Sequence, residues 1–129
     1  MSENESKGKV LVMDDEDMVG EIVCQMMMHL GYDATHVKDG KVAVDEYVRR
    51  FQNGNPFDLV IMDLTIPGGM GGKEAVMEIL AVDPSAKVLV SSGYSTDPIM
   101  TNFGEYGFVG VINKPFDLAS IQQTLESFC

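Results

Sequence analysis

Five polar residues stand at or just after the carboxyl ends of short apolar runs in this chain. They are Asp14, Asp15, Asp63, Ser92 and Lys114. The runs are rich in Val, Ile and Leu, which is typical of strands buried on both faces of a parallel sheet. Because the carboxyl ends of parallel strands share one edge, where ligands bind, we expect these side chains to converge on one pocket. Carboxylates suit a hard divalent cation such as Mg²⁺, and a hydroxyl with an ammonium suits a phosphoryl group.

The apolar runs alternate with amphipathic stretches along the chain. Strands are predicted at residues 9–13, 33–37, 59–63, 87–91 and 109–112. Helices are predicted at residues 17–30, 40–51, 72–82, 97–106 and 118–128. Asp117 is a suitable N-cap for the last helix. The alternation of strand and helix predicts an α/β fold with a parallel sheet and right-handed crossovers.

Apolar residues at helical spacing predict which faces of the helices are packed. The first helix has an apolar face made of Met18, Ile22, Met26 and Leu30. The inward residues predicted for the second and last helices are Val42, Ala43, Tyr47, Val48, Ile121, Leu125 and Phe128.

Charge and composition argue against several classes of function. The chain carries 20 acidic and 9 basic residues, a net charge of -11. This charge argues against binding nucleic acid or an anionic membrane surface, because both require clusters of Lys and Arg. The chain has neither the apolar stretch of a signal peptide nor a run that could span a bilayer. Cys24 and Cys129 form no disulfide or metal-ligand pattern, which favours a reducing cytoplasm.

The predicted domain organisation is simple. Residues 1–8 are mostly polar, and we expect them to form a flexible N-terminal segment. Residues 9–129 contain every predicted strand and helix, and their number fits one domain. Because nothing follows the last predicted helix, we expect no output domain in this chain.

The strand-end residues resemble the receiver domain of two-component response regulators. The resemblance covers about residues 9–129 and rests on Asp14-Asp15, Asp63, Ser92-Gly93 and Lys114-Pro115 with their spacing. It implies a flavodoxin-like (βα)5 three-layer sandwich, with a five-stranded parallel sheet in the order 2-1-3-4-5. The chain is also similar to receivers found on hybrid sensor histidine kinases, which leaves open whether it is free-standing or part of a longer protein.

The resemblance implies that Asp63 is a phosphoacceptor. A histidine kinase or a phosphotransfer domain would donate the phosphoryl group from a phosphohistidine, and the receiver would signal by conformational change. Mg²⁺, with Mn²⁺ as a substitute, would be bound by Asp15, Asp63 and the backbone carbonyl of Thr65, and Asp14 would help position it. Such a receiver is not an enzyme, since it promotes only its own phosphorylation and dephosphorylation.

The resemblance also implies roles for residues near the last two strands. The Ser92 hydroxyl and the Lys114 ammonium would contact the phosphoryl oxygens, and the Lys114–Pro115 bond would be cis. A downstream protein would bind the face formed by helix four, strand five and helix five. Val111 departs from the family, which often has an aromatic switch residue there. We therefore expect the 92–97 loop to move on activation without a large rotamer change at Val111.

Two other functions remain open. A haloacid-dehalogenase-type phosphatase also uses an aspartate at a strand end, but it needs a second acid two residues later, where this chain has Thr65. A degenerate receiver that serves only as an interaction module is the other alternative. Turnover of phosphate esters would identify the first, and failure of Mg²⁺-dependent labelling by acetyl phosphate would identify the second.

Overall fold

The structure is a computed structural model that describes residues 7–64, 66–93 and 97–129. Its strands are β1 Lys9–Met13, β2 Asp33–Val37, β3 Leu59–Asp63, β4 Val88–Ser92 and β5 Gly110–Asn113. Its helices are α1 Asp17–His29, α2 Gly40–Gln52, α3 Gly72–Val82, α4 Pro98–Thr101 and α5 Leu118–Phe128. All the strands are parallel, in the order β2-β1-β3-β4-β5. The predicted fold class and strand order are confirmed.

The sheet is covered on both faces by apolar packing. Successive residues of a strand point to opposite faces, so on β1 Leu11 and Met13 join one core cluster while Val10 and Val12 join the other. Residues of α2, α3 and α4 complete the first cluster, and residues of α1 and α5 complete the second. This three-layer arrangement explains why the strands read as continuous apolar runs rather than alternating ones.

The predicted apolar face of α1 is wrong in its first half. Met18 is 72% exposed and Ile22 is 49% exposed, whereas Val23 and Met27 are buried. The sequence carries two neighbouring apolar stripes on this helix, offset by one residue, and helical periodicity alone does not choose between them. The stripe that contains Val23 and Met27 packs against the sheet, and the stripe that contains Met18 and Ile22 lies at the surface.

The prediction for α2 is confirmed at two positions and wrong at a third. Ala43 and Tyr47 are buried, but Val42 is exposed. Neighbouring residues are separated by about 100° around a helix, so Val42 and Ala43 do not both face the sheet.

The predicted helix over residues 97–106 is interrupted. Asp97 caps α4 by accepting a hydrogen bond from the Ile99 N–H at 2.9 Å, but α4 ends at Thr101 and a 3₁₀ helix follows at Phe103–Tyr106. Asn and Gly are poor helix formers, and they occupy positions 102 and 104. The strands on either side, β4 and β5, each lie one residue later than predicted, which makes Ser92 the last residue of β4.

The last helix has the predicted bounds and cap. The Asp117 carboxylate accepts a hydrogen bond from the Ser120 N–H at 2.7 Å, and Ile121 and Leu125 are buried. Phe128 is partly buried against the same cluster. Of the predicted flexible segment, residues 1–6 lie outside the described residues. Among the helices that the structure describes, none combines the length and the apolar character needed to cross a membrane.

Candidate functional site

The predicted site residues meet at the carboxyl edge of the sheet. Asp14 follows β1, Asp63 ends β3, Ser92 ends β4 and Lys114 follows β5. A cleft of about 560 Å³ opens here, lined by Asp15, Glu16, Asp63, Pro67, Ser92, Gly93 and Lys114. The structure therefore brings Asp15, Asp63, Ser92 and Lys114 into one cleft. Thr65, whose backbone carbonyl is a predicted metal ligand, lies outside the described residues.

The Lys114 ammonium contacts two carboxylates at the ends of different strands. Its Nζ lies 2.7 Å from Oδ2 of Asp14 and 3.0 Å from Oδ2 of Asp63. Both acids are buried, with Asp14 at 1% and Asp63 at 8% exposure. Burial disfavours the charged form of Lys114, but its hydrogen bonds and charge interactions with Asp14 and Asp63 outweigh this and raise its pKa. The ammonium therefore stays protonated and offsets part of the negative charge.

The acidic residues after β1 form a cluster with metal-ligand spacing. Carboxylate oxygens of Asp14, Asp15 and Glu16 lie within 4.8 Å of one another. Carboxylates this close repel each other, and a cation relieves the repulsion. Oxygen donors are also the ligands that Mg²⁺ prefers. The donor set at this edge thus fits the magnesium ion that the sequence predicts.

Glu16 is a cleft residue that the sequence prediction missed. It also occupies the N-cap position of α1, without a side-chain cap hydrogen bond. The available signal was the run of consecutive acids that extends the Asp14-Asp15 pair. A single acid just before a helix is usually a capping residue, so this run alone does not indicate that Glu16 lines a cleft.

Two glycines let the β3–α3 connection fold back onto the strand that carries Asp63. A Cβ at Gly71 would lie 2.5 Å from the Leu64 carbonyl oxygen, and one at Gly72 would lie 2.9 Å from the Asp63 carbonyl oxygen. Any larger residue at these positions would push α3 away from the end of β3. The glycines therefore keep the backbone close to Asp63.

The β4 and β5 ends are held together by backbone contacts. The Lys114 N–H donates to the Ser92 carbonyl oxygen at 3.1 Å, and Ser92 is buried beside the cleft. The Lys114–Pro115 bond is cis, as predicted. Val111 is paired with Val90 and packs, partly buried, against the core cluster on the α2, α3 and α4 side of the sheet.

The comparison with protein-family models gives one match across nearly the whole chain. The model described as the response regulator receiver domain matches residues 10–126. A chemotaxis protein CheY from Thermotoga maritima is 30% identical over 119 residues, which covers 92% of this chain and 94% of that protein. The response regulator GacA from Pseudomonas syringae pv. syringae is 31% identical, and the match covers 92% of this chain but only 53% of GacA.

Solved structures show the same fold. The CheX–CheY–BeF3–Mg²⁺ complex from Borrelia burgdorferi matches with a TM-score of 0.83 and 26% identity, covering 95% of this chain and 89% of the matched chain. The receiver domain of sensor histidine kinase PA1611 from Pseudomonas aeruginosa, with magnesium coordinated in its active site cleft, matches with a TM-score of 0.81 and 24% identity. That match covers 94% of this chain and 96% of the other.

Proposed function

Because this chain belongs to the response regulator receiver domain family, we propose that it accepts a phosphoryl group on Asp63 in a Mg²⁺-dependent reaction. The donor is the phosphohistidine of a histidine kinase or of a phosphotransfer domain. The observation that carries the proposal is the Lys114 ammonium, which contacts both Asp14 and Asp63 in a cleft at the carboxyl edge of the sheet.

The proposed reaction is a transfer between two residues with little covalent assistance. A carboxylate oxygen of Asp63 attacks phosphorus, the bond from phosphorus to the donor histidine nitrogen breaks, and an acyl phosphate forms. Such transfers depend on positioning and on neutralising charge. Lys114 holds a positive charge beside Asp63, and Ser92 lines the same cleft, where its hydroxyl would donate to a phosphoryl oxygen.

The acidic residues would hold Mg²⁺ at this edge. Asp15 and Asp63 are the proposed direct ligands, with Mn²⁺ as a substitute, and the bound ion would neutralise charge on the phosphoryl oxygens. Asp14 already accepts hydrogen bonds from the Glu16 N–H and from Lys114, so we assign it an indirect part in placing the ion. The Borrelia CheY, which is 26% identical, forms a complex that contains Mg²⁺, and this supports the assignment.

We propose further that the protein is a cytoplasmic signalling switch and not an enzyme that turns over a substrate. Residues 9–129 form the receiver unit. The output surface is the face made of α4 with the 3₁₀ helix that follows it, β5 and α5, where Phe103, Tyr106 and Val111 are partly buried. A downstream protein would bind this face after phosphorylation.

Mass spectrometry after treatment with phosphoramidate and Mg²⁺ tests the proposal. Wild type should gain one phosphate, Asp63→Asn should gain none, and a chelator should prevent the gain. Labelling that persists in Asp63→Asn would refute the assignment of the phosphoacceptor. The absence of any labelling would instead favour the interaction-module alternative, and release of phosphate from phosphate esters with turnover would favour the phosphatase.

A further inference from the structure

His36 lies in β2, and its ring packs against the start of α1 and the connection between β1 and α1. The imidazole Nε2 lies 2.8 Å from the backbone carbonyl oxygen of Asp14. Because a carbonyl oxygen only accepts hydrogen bonds, Nε2 carries a proton and donates it. The ring therefore holds the peptide group that joins Asp14 to Asp15.

The chain makes room for this ring at Gly20. A Cβ at position 20 would overlap Nε2, Cδ2 and Cε1 of the His36 imidazole. Glycine is among the poorest helix formers, so its place inside α1 calls for a packing reason. The imidazole supplies that reason, because it occupies the space that a side chain at position 20 would fill.

The remaining polar groups of Asp14 also have hydrogen-bond or ion-pair partners. Its N–H donates to the Val37 carbonyl oxygen at 3.0 Å, and its Oδ1 accepts from the Glu16 N–H at 2.9 Å. Its Oδ2 contacts Lys114. The His36 hydrogen bond completes this set, and it is the one that acts on the peptide plane before Asp15. Asp15 is exposed in the cleft, so the backbone that precedes it determines where its carboxylate projects.

We propose that His36 is a positioning residue for the magnesium site, which fixes the Asp14–Asp15 peptide and thereby aims the Asp15 carboxylate into the cleft. The inference deepens the proposed function and rests on it. Removing a group that orients a metal ligand commonly lowers metal affinity by about 10–100-fold. The loss of the His36 hydrogen bond should therefore be measured as weaker Mg²⁺ binding.

Isothermal titration calorimetry of the full chain with Mg²⁺ tests the role of His36. His36→Leu removes the donor and should weaken binding by about tenfold. His36→Gln places an amide N–H near the former position of Nε2 and should restore most of the affinity. His29→Leu is the matched control, because His29, the other histidine of the chain, is exposed at the end of α1. This variant should bind Mg²⁺ as wild type does.

A double-mutant cycle gives a second test that does not depend on the leucine variant folding. Gly20→Ala should displace the ring and weaken Mg²⁺ binding in the wild-type background, but should have no effect in the His36→Ala background. Unfolding curves in a chelator establish that each variant is folded.

Wild-type affinity in folded His36→Leu, or an equal loss in His36→Gln and His36→Leu, would overturn the inference. The second result would mean that ring packing matters and the hydrogen bond does not. Failure of the proposed function has a different signature: wild type would not bind Mg²⁺, or Asp15→Asn would bind it equally well.

Discussion

At the scale of single residues, the charge balance of the cleft depends on Lys114. Its Nζ lies within 3.0 Å of an oxygen of both Asp14 and Asp63, and both acids are buried. A buried charge that loses its partner is costly, because neither water nor another group replaces the lost interaction.

Lys114→Met should therefore lower the free energy of unfolding by about 1–3 kcal/mol in the absence of divalent ions. Mg²⁺ should recover part of the loss, because it supplies positive charge beside the same carboxylates. Urea unfolding in a chelator and in saturating Mg²⁺ measures both effects. Lys114→Arg keeps the charge and serves as the control; a loss as large as that of Lys114→Met would mean that shape matters more than charge.

The raised pKa of Lys114 predicts how this stabilisation varies with pH. Burial acts against the charged form, but the contacts with Asp14 and Asp63 outweigh it, so the folded pKa lies above the unfolded one. The stabilisation is then complete below the ordinary lysine pKa of 10.5 and is lost as pH rises through the folded pKa. The difference in unfolding free energy between wild type and Lys114→Met should narrow over that alkaline range. A constant difference would contradict the assigned ion pairs.

Most of the candidate site could be predicted from residue types at strand ends, since parallel strands deliver their carboxyl ends to one edge. The parts that escaped depend on contacts between distant segments. His36 meets Asp14 because β1 and β2 pair in register, with Val12 opposite His36. A single histidine in a strand of mixed polar and apolar residues gives no sign of that neighbour.

At the scale of elements, α1 illustrates the limit of periodicity. The sequence predicts that α1 exists and gives nearly all of its length, but it does not predict which side of the helix faces the sheet. The stripe with Met18 and Ile22 and the stripe with Val23 and Met27 are both apolar, and packing against the sheet decides between them. The same holds for the broken fourth helix, where local glycine and asparagine outweigh a weak apolar pattern.

Paired methionine substitutions test the rotation of α1. Met27→Ala should lower the free energy of unfolding by about 2–5 kcal/mol, because it leaves a cavity in the core. Met18→Ala, the same change in the same helix, should alter it by less than about 0.5 kcal/mol. Chemical denaturation measures both. Equal costs would mean that the helix faces the sheet differently.

At the scale of the whole molecule, the proposed Mg²⁺ binding would be linked to folding stability. An ion that binds only the folded state stabilises it, by about 2.7 kcal/mol when its concentration is 100 times its dissociation constant. Thermal unfolding of wild type should therefore shift upward with Mg²⁺ and return on addition of a chelator. Asp15→Asn should show a much smaller shift, and an undiminished shift would mean that the ion binds elsewhere.

Activation should spread from the cleft towards the fourth helix. NMR with and without beryllofluoride and Mg²⁺ should show large shifts from Ser92 to about Phe103 and weaker ones at Val111, a β-branched residue that is stiff at χ1. Residues 94–96 within this span lie outside the described residues. A response confined to the neighbours of Asp63 would contradict a switch of this kind.

The exposure of one apolar stripe of α1 also affects which methionines an oxidant would reach first. Met18, Met28 and Met77 present their thioethers to solvent, whereas Met13, Met27 and Met62 are fully enclosed. Peroxide converts accessible thioethers to sulfoxides, so damage should accumulate on the outer surface of α1 and α3 while the interior stays reduced. The earliest oxidised forms should therefore remain folded, with a more polar patch on the exposed side of α1 at Met18.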